Sequence, residues 1–233
     1  KMRSLPWRAL VTLPAHWFWG ATFLSFPWAI SAAFGGPVLG WWLPLLVAMG
    51  GMIQSLSTRW TLTDLTLDNT AVPGLSRRRH GSFRESRPLR IVQISDPHLG
   101  PFMSVARLRA IAARAVATDP DLVLLTGDFL TMESQGTPGC LAEALAPLKA
   151  LQGRTFACLG NHDHEALAMV HRELADAGVT LLVDAATVVQ TGAGPVQIVG
   201  ADFAWRNREE RLADLFAQVP RLPDTQRIVL LHD

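Results

Sequence analysis

Four short apolar segments, all after residue 88, run directly into motifs of polar residue types that bind metals. The segments are residues 91–95, 122–126, 156–159 and 228–231, and the motifs are Asp96-Pro97-His98, Gly127-Asp128, Gly160-Asn161-His162-Asp163 and His232-Asp233. The carboxyl ends of neighbouring strands in an open α/β sheet lie at one edge, and ligands bind there. The sequence therefore predicts that four strand ends converge on one site.

Apolar strand patterns alternate with amphipathic helix patterns from residue 89 onward. Strands are predicted at residues 89–95, 122–126, 155–159, 180–183, 187–190, 196–199 and 227–231. Helices are predicted at residues 104–118, 141–151, 164–177 and 207–218. Ser104 is the expected N-cap of the first helix, Pro147 must interrupt the second, and Gly178 ends the third. This alternation is typical of a layered α/β domain.

Residues 9–58 contain no Asp, Glu, Lys or Arg. A helix that spans a bilayer needs about 20 apolar residues, so the stretch is long enough for two spans. Gly35-Gly36-Pro37 would form a tight turn between spans at residues 13–34 and 38–56. Tryptophans near the ends of these spans fit an aromatic belt at the membrane interfaces. The sequence predicts a transmembrane helical hairpin over residues 1–58, with a single span as the alternative.

Basic residues flank the uncharged stretch on both sides, whereas the turn between the two spans carries no charge. Lys1, Arg3 and Arg8 precede it, and Arg59 and residues 77–79 follow it. The positive-inside rule then places both ends in the cytoplasm. We expect a multi-pass protein of the inner (cytoplasmic) membrane, in which residues 59–88 link the hairpin to a cytoplasmic domain of residues 89–233.

Composition excludes some classes of function. The net charge is +1, so the balance of charge favours neither nucleic acid nor an acidic partner. The two cysteines, Cys140 and Cys158, are not in CxxC spacing and predict two reduced thiols, without a disulfide or a zinc site. The sequence does not indicate an oligomeric state.

The residue types after the four strands define the chemistry of the predicted site. They offer carboxylates, imidazoles and one amide oxygen, a mixture that suits Mn²⁺, Fe²⁺ or Zn²⁺. Structural zinc sites prefer thiolates. One carboxylate can bridge two metal ions about 3.5–4 Å apart, as in phosphatases and nucleases. The glycines before Asp128 and Asn161 let the backbone turn sharply towards the ions.

The order D-x-H, G-D, G-N-H-D and H over residues 89–233 resembles the calcineurin-like metallophosphoesterase family. The resemblance implies a two-sheet sandwich flanked by helices and two divalent metal ions, with Mn²⁺ preferred. It implies that Asp96 and His98 hold the first ion. Asn161 and His232 would hold the second ion, and Asp128 would bridge both.

The same resemblance implies that His162 faces the scissile phosphate, where it protonates the leaving group or stabilises charge. A hydroxide between the metals would attack phosphorus in line. Asp163 is the second candidate catalytic residue, and it could orient His162 or cap the following helix. The family's closing G-H-x-H motif does not follow His232, so we expect a domain that is incomplete at its C-terminus. If residues 1–233 alone bind two ions and are active, other residues must complete the two sites. The first candidates are then Asp163, His164, Asp202 and Asp233.

The function that this resemblance implies is metal-dependent hydrolysis of a phosphodiester or pyrophosphate bond. The predicted anchor favours a lipid-linked or membrane-proximal substrate, and some anchored members of the family are similar to UDP-diacylglucosamine pyrophosphatases. The alternatives are a general phosphodiesterase or phosphatase without lipid preference, and a catalytically dead membrane scaffold. DNA-repair nucleases share the ligand order but need a basic groove, so nucleic acid is not the expected partner.

Overall fold

The computed structural model describes residues 2–63 and 88–232. The first of these ranges is helical, with α1 Leu5–Trp7, a π-helical turn Arg8–Thr12, α2 Leu13–Leu24, α3 Phe26–Ala33 and α4 Leu43–Ser55. Helices α2 and α4 pack against each other. The indole of Trp17 on α2 donates a hydrogen bond to the carbonyl oxygen of Leu45 on α4 over 3.0 Å.

Among the helices of the described ranges, none combines the length and the apolar composition that a membrane crossing requires. The predicted spans at residues 13–34 and 38–56 are therefore not confirmed. The first is divided at Ser25, just before Pro27, which has no N–H to continue the helical hydrogen bonds. In the second, the helix begins only at Leu43. Most of the predicted linker, including the basic residues 77–79, lies outside the described residues.

The first helical turns and the end of the N-terminal part contact the rest of the protein. Arg8 is buried, and its guanidinium lies 3.3 Å from the carboxylate of Glu133. The guanidinium of Arg114 lies 4.7 Å from the centre of the Trp60 ring, a cation–π contact. These contacts join both ends of the N-terminal helices to residues 88–232.

Residues 88–232 contain two β-sheets. Their strands are β1 Ile91–Ile94, β2 Leu122–Thr126, β3 Thr155–Cys158, β4 Thr180–Leu181, β5 Ala185–Thr191, β6 Gly194–Gly200 and β7 Gln226–Leu230. Strands β1 to β4 form a parallel sheet in that order. In the second sheet, β6 pairs antiparallel with β5 and parallel with β7. The carboxyl ends of β1, β2 and β3 therefore lie side by side.

Helices connect the strands and cover the sheets. They are α5 Val105–Ala117, α6 Met132–Gln135, α7 Cys140–Leu145, α8 Leu167–Asp176 and α9 Arg208–Gln218, with 3₁₀ helices at Ala146–Leu151 and His162–Ala166. Helices α5, α7 and α8 pack on one face of the parallel sheet. Helix α9 packs on the mixed sheet.

Strand β2 is buried on both faces and joins the two parts of the core. Val123 and Leu125 pack against the helices α5, α7 and α8. Leu122 and Leu124 point to the other face and pack against the mixed sheet, including Ile198. Burial on both faces explains why this strand has a continuous apolar sequence. The layers follow the order helices, sheet, sheet, helix, so the predicted α/β two-sheet sandwich is confirmed for this part of the chain.

The predicted elements of residues 89–232 are confirmed, with small changes at their ends. Ser104 caps α5, because its hydroxyl oxygen accepts a hydrogen bond from the backbone N–H of Arg107 over 3.1 Å. Helix α7 gives way to a 3₁₀ helix around Pro147, as expected for a residue without an N–H. Gly178, at a φ of 75°, follows the end of α8.

Both cysteines are buried and unpaired, as the sequence predicts. Burial raises the pKa of the Cys140 thiol to about 11. Burial also raises the pKa of the Cys158 thiol, to about 12. Both side chains act as small apolar groups in the core.

A buried carboxylate from α8 caps the N-terminus of α7. Glu173 accepts hydrogen bonds from the backbone N–H groups of Gly139, Leu141 and Ala142 over 2.6, 2.8 and 3.2 Å. These are groups that a helix leaves without partners at its start. The carboxylate therefore ties the two helices together.

Glu173→Ala is expected to lower the free energy of unfolding by about 2 kcal/mol, because it leaves the buried N–H group of Leu141 and the N–H groups of Gly139 and Ala142 without their acceptor. Urea denaturation followed by circular dichroism measures the change. Asp214→Ala, at an exposed position of α9, is the matched control and should stay within about 0.5 kcal/mol of the parent protein. Equal stabilities of the two variants would contradict the capping role of Glu173.

Candidate metal centre

Asp96 and His98 follow β1 in a backbone conformation that few residues adopt. Their φ angles are 50° and 41°, in the left-handed region. The backbone N–H of His98 donates to the carbonyl oxygen of Asp128 over 3.0 Å, and that of Leu99 donates to Phe129 over 2.9 Å. The loops after β1 and β2 thus hydrogen-bond to each other, which holds the left-handed residues in place.

Asp128 is buried at the end of β2, where the loop after β3 approaches closely. Gly127 has a φ of 78°, and a Cβ added there would come within 2.5 Å of the Gly160 nitrogen. A Cβ added to Gly160 would overlap the Asp128 carboxylate itself. Both glycines thus permit a close approach of the two loops, and the expectation that they bring the backbone towards the metal ions stays a prediction.

Four ligand-type side chains meet at the ends of β1, β2 and β7. One ligand atom from each of Asp96, Asp128 and His232 lies within 4.8 Å of the others. The Nε2 atom of His98 lies 3.3 Å from Oδ2 of Asp128 and 3.9 Å from Oδ1 of Asp96. The Nε2 atom of His232 lies 3.5 Å from Oδ2 of Asp128 and 3.9 Å from Oδ1 of Asp96.

The orientation of His232 shows that this cluster fits a cation. Its Nδ1 lies 2.9 Å from the carbonyl oxygen of Thr126, so Nδ1 carries the hydrogen of this bond. In the neutral ring, Nε2 then presents a lone pair to two carboxylate oxygens. Lone pairs and carboxylates that converge in this way repel one another unless a cation lies among them. Carboxylates with imidazoles suit a divalent ion of intermediate hardness.

Asn161 lies at the end of β3, between Gly160 and His162, and is half-buried. Its predicted role as a ligand of the second ion stays a prediction. The predicted division of the histidines between two ions also stays a prediction, because His98 and His232 approach the same carboxylate oxygens at similar distances.

The His162 ring lies beside the cluster and is half-exposed. Its ring packs edge-on against the ring of His98, with centroids 5.6 Å apart, and its backbone N–H donates to Oδ1 of Asp128 over 2.9 Å. The Nδ1 atom lies 2.9 Å from Oε1 of Glu165, and this hydrogen bond raises the pKa of His162. Hydrogen bonds from Gln135 and His162 lower the pKa of the Glu165 carboxyl.

Glu165 and Gln135 were not predicted from the sequence as site residues. The spacing of three residues between His162 and Glu165 was a usable signal, because such pairs face each other on a helical turn. Gln135 lies on another helix, α6, and only the folded structure brings its Nε2 to 2.9 Å from Oε2 of Glu165.

The Asp163 carboxylate contacts backbone N–H groups of the loops after β2 and β3. Its fully buried carboxylate accepts hydrogen bonds from the backbone N–H groups of Asp128, Phe129 and Gly160, each over 2.8 Å. The His162 ring is instead bonded to Glu165. Burial raises the pKa of Asp163, while the three N–H groups act in the opposite direction. A catalytic role for Asp163 stays a prediction that these contacts do not support, because its side chain joins the loops after β2 and β3.

Two of the groups that could complete the metal sites bind each other. The Nε2 atom of His164 lies 3.1 Å from Oδ1 of Asp202. Arg211 lies 2.8 Å from the carboxylate of Asp184 and 3.9 Å from that of Asp202. Asp184, Asp202 and Arg211 line a cavity together with His232. Asp233 lies outside the described residues.

Comparison with known proteins identifies the class. A family model described as calcineurin-like phosphoesterase matches residues 89–232. Phosphodiesterase YaeI of Escherichia coli (strain K12) is 29% identical over 165 residues, which are 66% of this chain and 61% of that protein. UDP-2,3-diacylglucosamine pyrophosphatase LpxG of Chlamydia trachomatis serovar D is 42% identical over 82 residues, which are 35% of this chain and 25% of that protein.

A further relative is the transmembrane protein with metallophosphoesterase domain of Danio rerio, 38% identical over 76 residues, which are 33% of this chain and 17% of that protein. The chain thus spans less than two thirds of the length of these relatives. The family model covers well over half of the chain, so the protein belongs to the calcineurin-like phosphoesterase family. The resemblance seen in the sequence motifs is confirmed.

Asp163→Ala is expected to lower the free energy of unfolding by about 3 kcal/mol or more, because three buried N–H groups lose their acceptor. Asp163→Asn should cost less, since its amide oxygen still accepts. Urea denaturation measures both variants, and Asp176→Ala, at an exposed position of α8, is the control. If Asp163→Ala were as stable as the control, the loops would not depend on this carboxylate.

Proposed function

We propose that this protein is a metal-dependent hydrolase of phosphodiester or pyrophosphate bonds. The observation that carries the proposal is the meeting of the Asp96 and Asp128 carboxylates with the rings of His98 and His232, with the His162 ring beside them. Membership of the family supports the proposal, as do the names of two relatives, a phosphodiesterase and a pyrophosphatase.

We assign two divalent ions to the site, with Mn²⁺ preferred and Fe²⁺ or Zn²⁺ as alternatives. Asp96 and His98 would hold the first ion. Asn161 and His232 would hold the second, and Asp128 would contact both. Bound divalent ions supply positive charge that polarises phosphoryl oxygens and makes water more acidic. The hydrogen bond from Nδ1 of His232 to a backbone carbonyl supports this role, since it fixes the ring in the orientation of a ligand.

His162 is the proposed general acid. Its ring is exposed enough to meet a substrate, and its contact with the His98 ring keeps it next to the ligand cluster. The hydrogen bond to Glu165 favours the protonated ring, the form that can donate a proton to the leaving oxygen. Asp128 holds the backbone of His162, so one carboxylate positions both the ligand cluster and the acid.

A lipid-linked or membrane-proximal substrate is the finer part of the proposal. The N-terminal helices expose large apolar side chains, including Trp19, Phe23 and Phe26, which are 62%, 74% and 66% exposed. Exposed apolar surfaces of this kind mark sites of interaction with membranes or proteins. The name of the relative LpxG specifies a diacylated nucleotide sugar. We therefore place the protein at the inner membrane, with both ends of residues 1–58 and the catalytic domain in the cytoplasm.

The second candidate is a general phosphodiesterase without lipid preference. It is favoured by the phosphodiesterase YaeI, whose match extends over 66% of this chain. A catalytically dead scaffold is a weaker candidate, because Asp96, His98, Asp128 and His232 are all present and lie together.

Asp128→Asn tests the proposed function. In the full-length protein loaded with Mn²⁺, the variant should retain less metal and lose turnover, because Asp128 is the carboxylate assigned to both ions. Metal content by mass spectrometry and hydrolysis of bis(p-nitrophenyl) phosphate are the measurements. Asp214→Asn, at an exposed helix position, is the matched control and should behave as the parent. Full activity of Asp128→Asn would contradict the assignment.

Two substrates separate the candidate functions in the same assay. A diacylated nucleotide-sugar pyrophosphate, presented in micelles, should be hydrolysed faster than its deacylated counterpart if the substrate is lipid-linked. Equal rates with both would favour the general phosphodiesterase. A parent protein that binds Mn²⁺ but hydrolyses no ester or pyrophosphate would favour the scaffold.

A further inference from the structure

We propose that Glu165, itself held by Gln135, is a positioning residue that fixes the His162 ring for proton transfer to the leaving group. The proposal rests on the proposed function and assigns a residue to its acid step. It derives from a chain of side-chain contacts that runs from α6 to the 3₁₀ helix after β3.

The first contact fixes the tautomer and the plane of the His162 ring. Nδ1 lies 2.9 Å from Oε1 of Glu165, a distance at which Nδ1–H donates to the carboxylate. The other ring nitrogen, Nε2, is then the one that remains for a substrate. The ring is half-exposed and also packs edge-on against the His98 ring, so the hydrogen bond to Glu165 adds a directional constraint on its rotation.

The second contact fixes Glu165. Its other carboxylate oxygen, Oε2, accepts a hydrogen bond from Nε2 of Gln135 over 2.9 Å. Both oxygens of the carboxylate therefore have a defined partner, one on each side. An exposed glutamate with a single contact would lose side-chain entropy comparable to what the contact contributes. Two partners on opposite sides favour one conformation of Glu165.

The helix that carries Gln135 has a cap at its start and an ion pair to the N-terminal part. The hydroxyl of Ser134 is buried, accepts from the backbone N–H of Thr131 over 2.8 Å, and donates to the carbonyl oxygen of the same residue. Glu133 on the same helix pairs with the buried Arg8 of the N-terminal part at 3.3 Å. Gln135 thus lies on a helix that has contacts of its own, separate from Glu165.

The chemical step balances without any further reactant. Water adds to phosphorus, the bond from phosphorus to the leaving oxygen breaks, and the proton on Nε2 of His162 passes to that oxygen. The proton released by the attacking water restores His162. Throughout, Glu165 stays ionised and accepts the hydrogen bond from Nδ1, so that it positions the acid and exchanges no proton with the substrate.

The experiment compares two diester substrates in the full-length Mn²⁺-loaded protein, one with a p-nitrophenolate leaving group and one with an alkoxide leaving group. A poor leaving group needs a proton, whereas p-nitrophenolate leaves without one. Glu165→Ala should therefore lower kcat for the alkyl ester by about 10-fold or more, a part of the ~10²–10⁴-fold that general acids contribute. The kcat for the p-nitrophenyl ester should change little. The KM values for both esters and the metal content should also stay close to those of the parent.

Three further variants complete the series. Glu165→Gln keeps an acceptor for Nδ1 and should recover part of the lost rate, and Gln135→Ala should lower the same rate in the same substrate-dependent way. Glu210→Ala, an exposed glutamate of α9, is the matched control and should leave both substrates unaffected. In a His162→Gln background, Glu165→Ala should have no additional effect, because the two residues act as one unit.

Several results would overturn the proposal. Glu165 would not act by positioning His162 if Glu165→Ala lowered kcat equally for the two esters or lost metal. The same conclusion would follow if Glu165→Ala lowered the rate further in the His162→Gln background. If His162→Gln and Glu165→Ala were both fully active while Asp128→Asn was inactive, the positioning role of Glu165 and the acid role of His162 would fail, and metal-dependent hydrolysis as the proposed function would stand. If the parent hydrolysed neither ester, both would fail together.

Discussion

The buried carboxylate of Asp163 holds the centre of this structure together. It accepts hydrogen bonds from the N–H groups of Asp128 and Phe129 after β2 and of Gly160 after β3. The ends of the two strands are thereby fixed at a distance that only glycine at position 160 permits. Because Asp128 is part of the ligand cluster and also binds the backbone of His162, the metal ligands and the proposed acid share one rigid frame.

The parts of the site that follow directly from strand ends could be predicted from the sequence. Asp96 and Asp128 follow neighbouring parallel strands, whose carboxyl ends lie together. His232 also follows an apolar strand, but that strand, β7, belongs to the second sheet, and the ring reaches the end of β2 through its hydrogen bond to Thr126. The role of Asp163 could not be predicted, because its partners are backbone groups of a loop 34 and 35 residues away along the chain. Glu165 had a usable helical spacing from His162, whereas Gln135 lies 30 residues from Glu165.

In the N-terminal part, the residue types predicted the helices but not the lengths of the helices or their contacts. The uncharged stretch predicted apolar helices, and the structure has them, but prolines such as Pro27 divide them into shorter pieces. Charge pairing at a distance was not predictable from composition: Arg8, which we took as a flanking charge, is buried against Glu133. Glu133 and Gln135 belong to one short helix, so the N-terminal part and the proposed acid are connected through α6.

The central claim is that the ends of β1, β2 and β7 form a metal centre. Crystals of the full-length protein grown with Mn²⁺, measured near the manganese absorption edge, test it directly. The account predicts anomalous difference peaks in contact with Asp96, Asp128 and the rings of His98 and His232. Fully loaded crystals with no peak at these side chains, or with manganese bound only elsewhere, would contradict it.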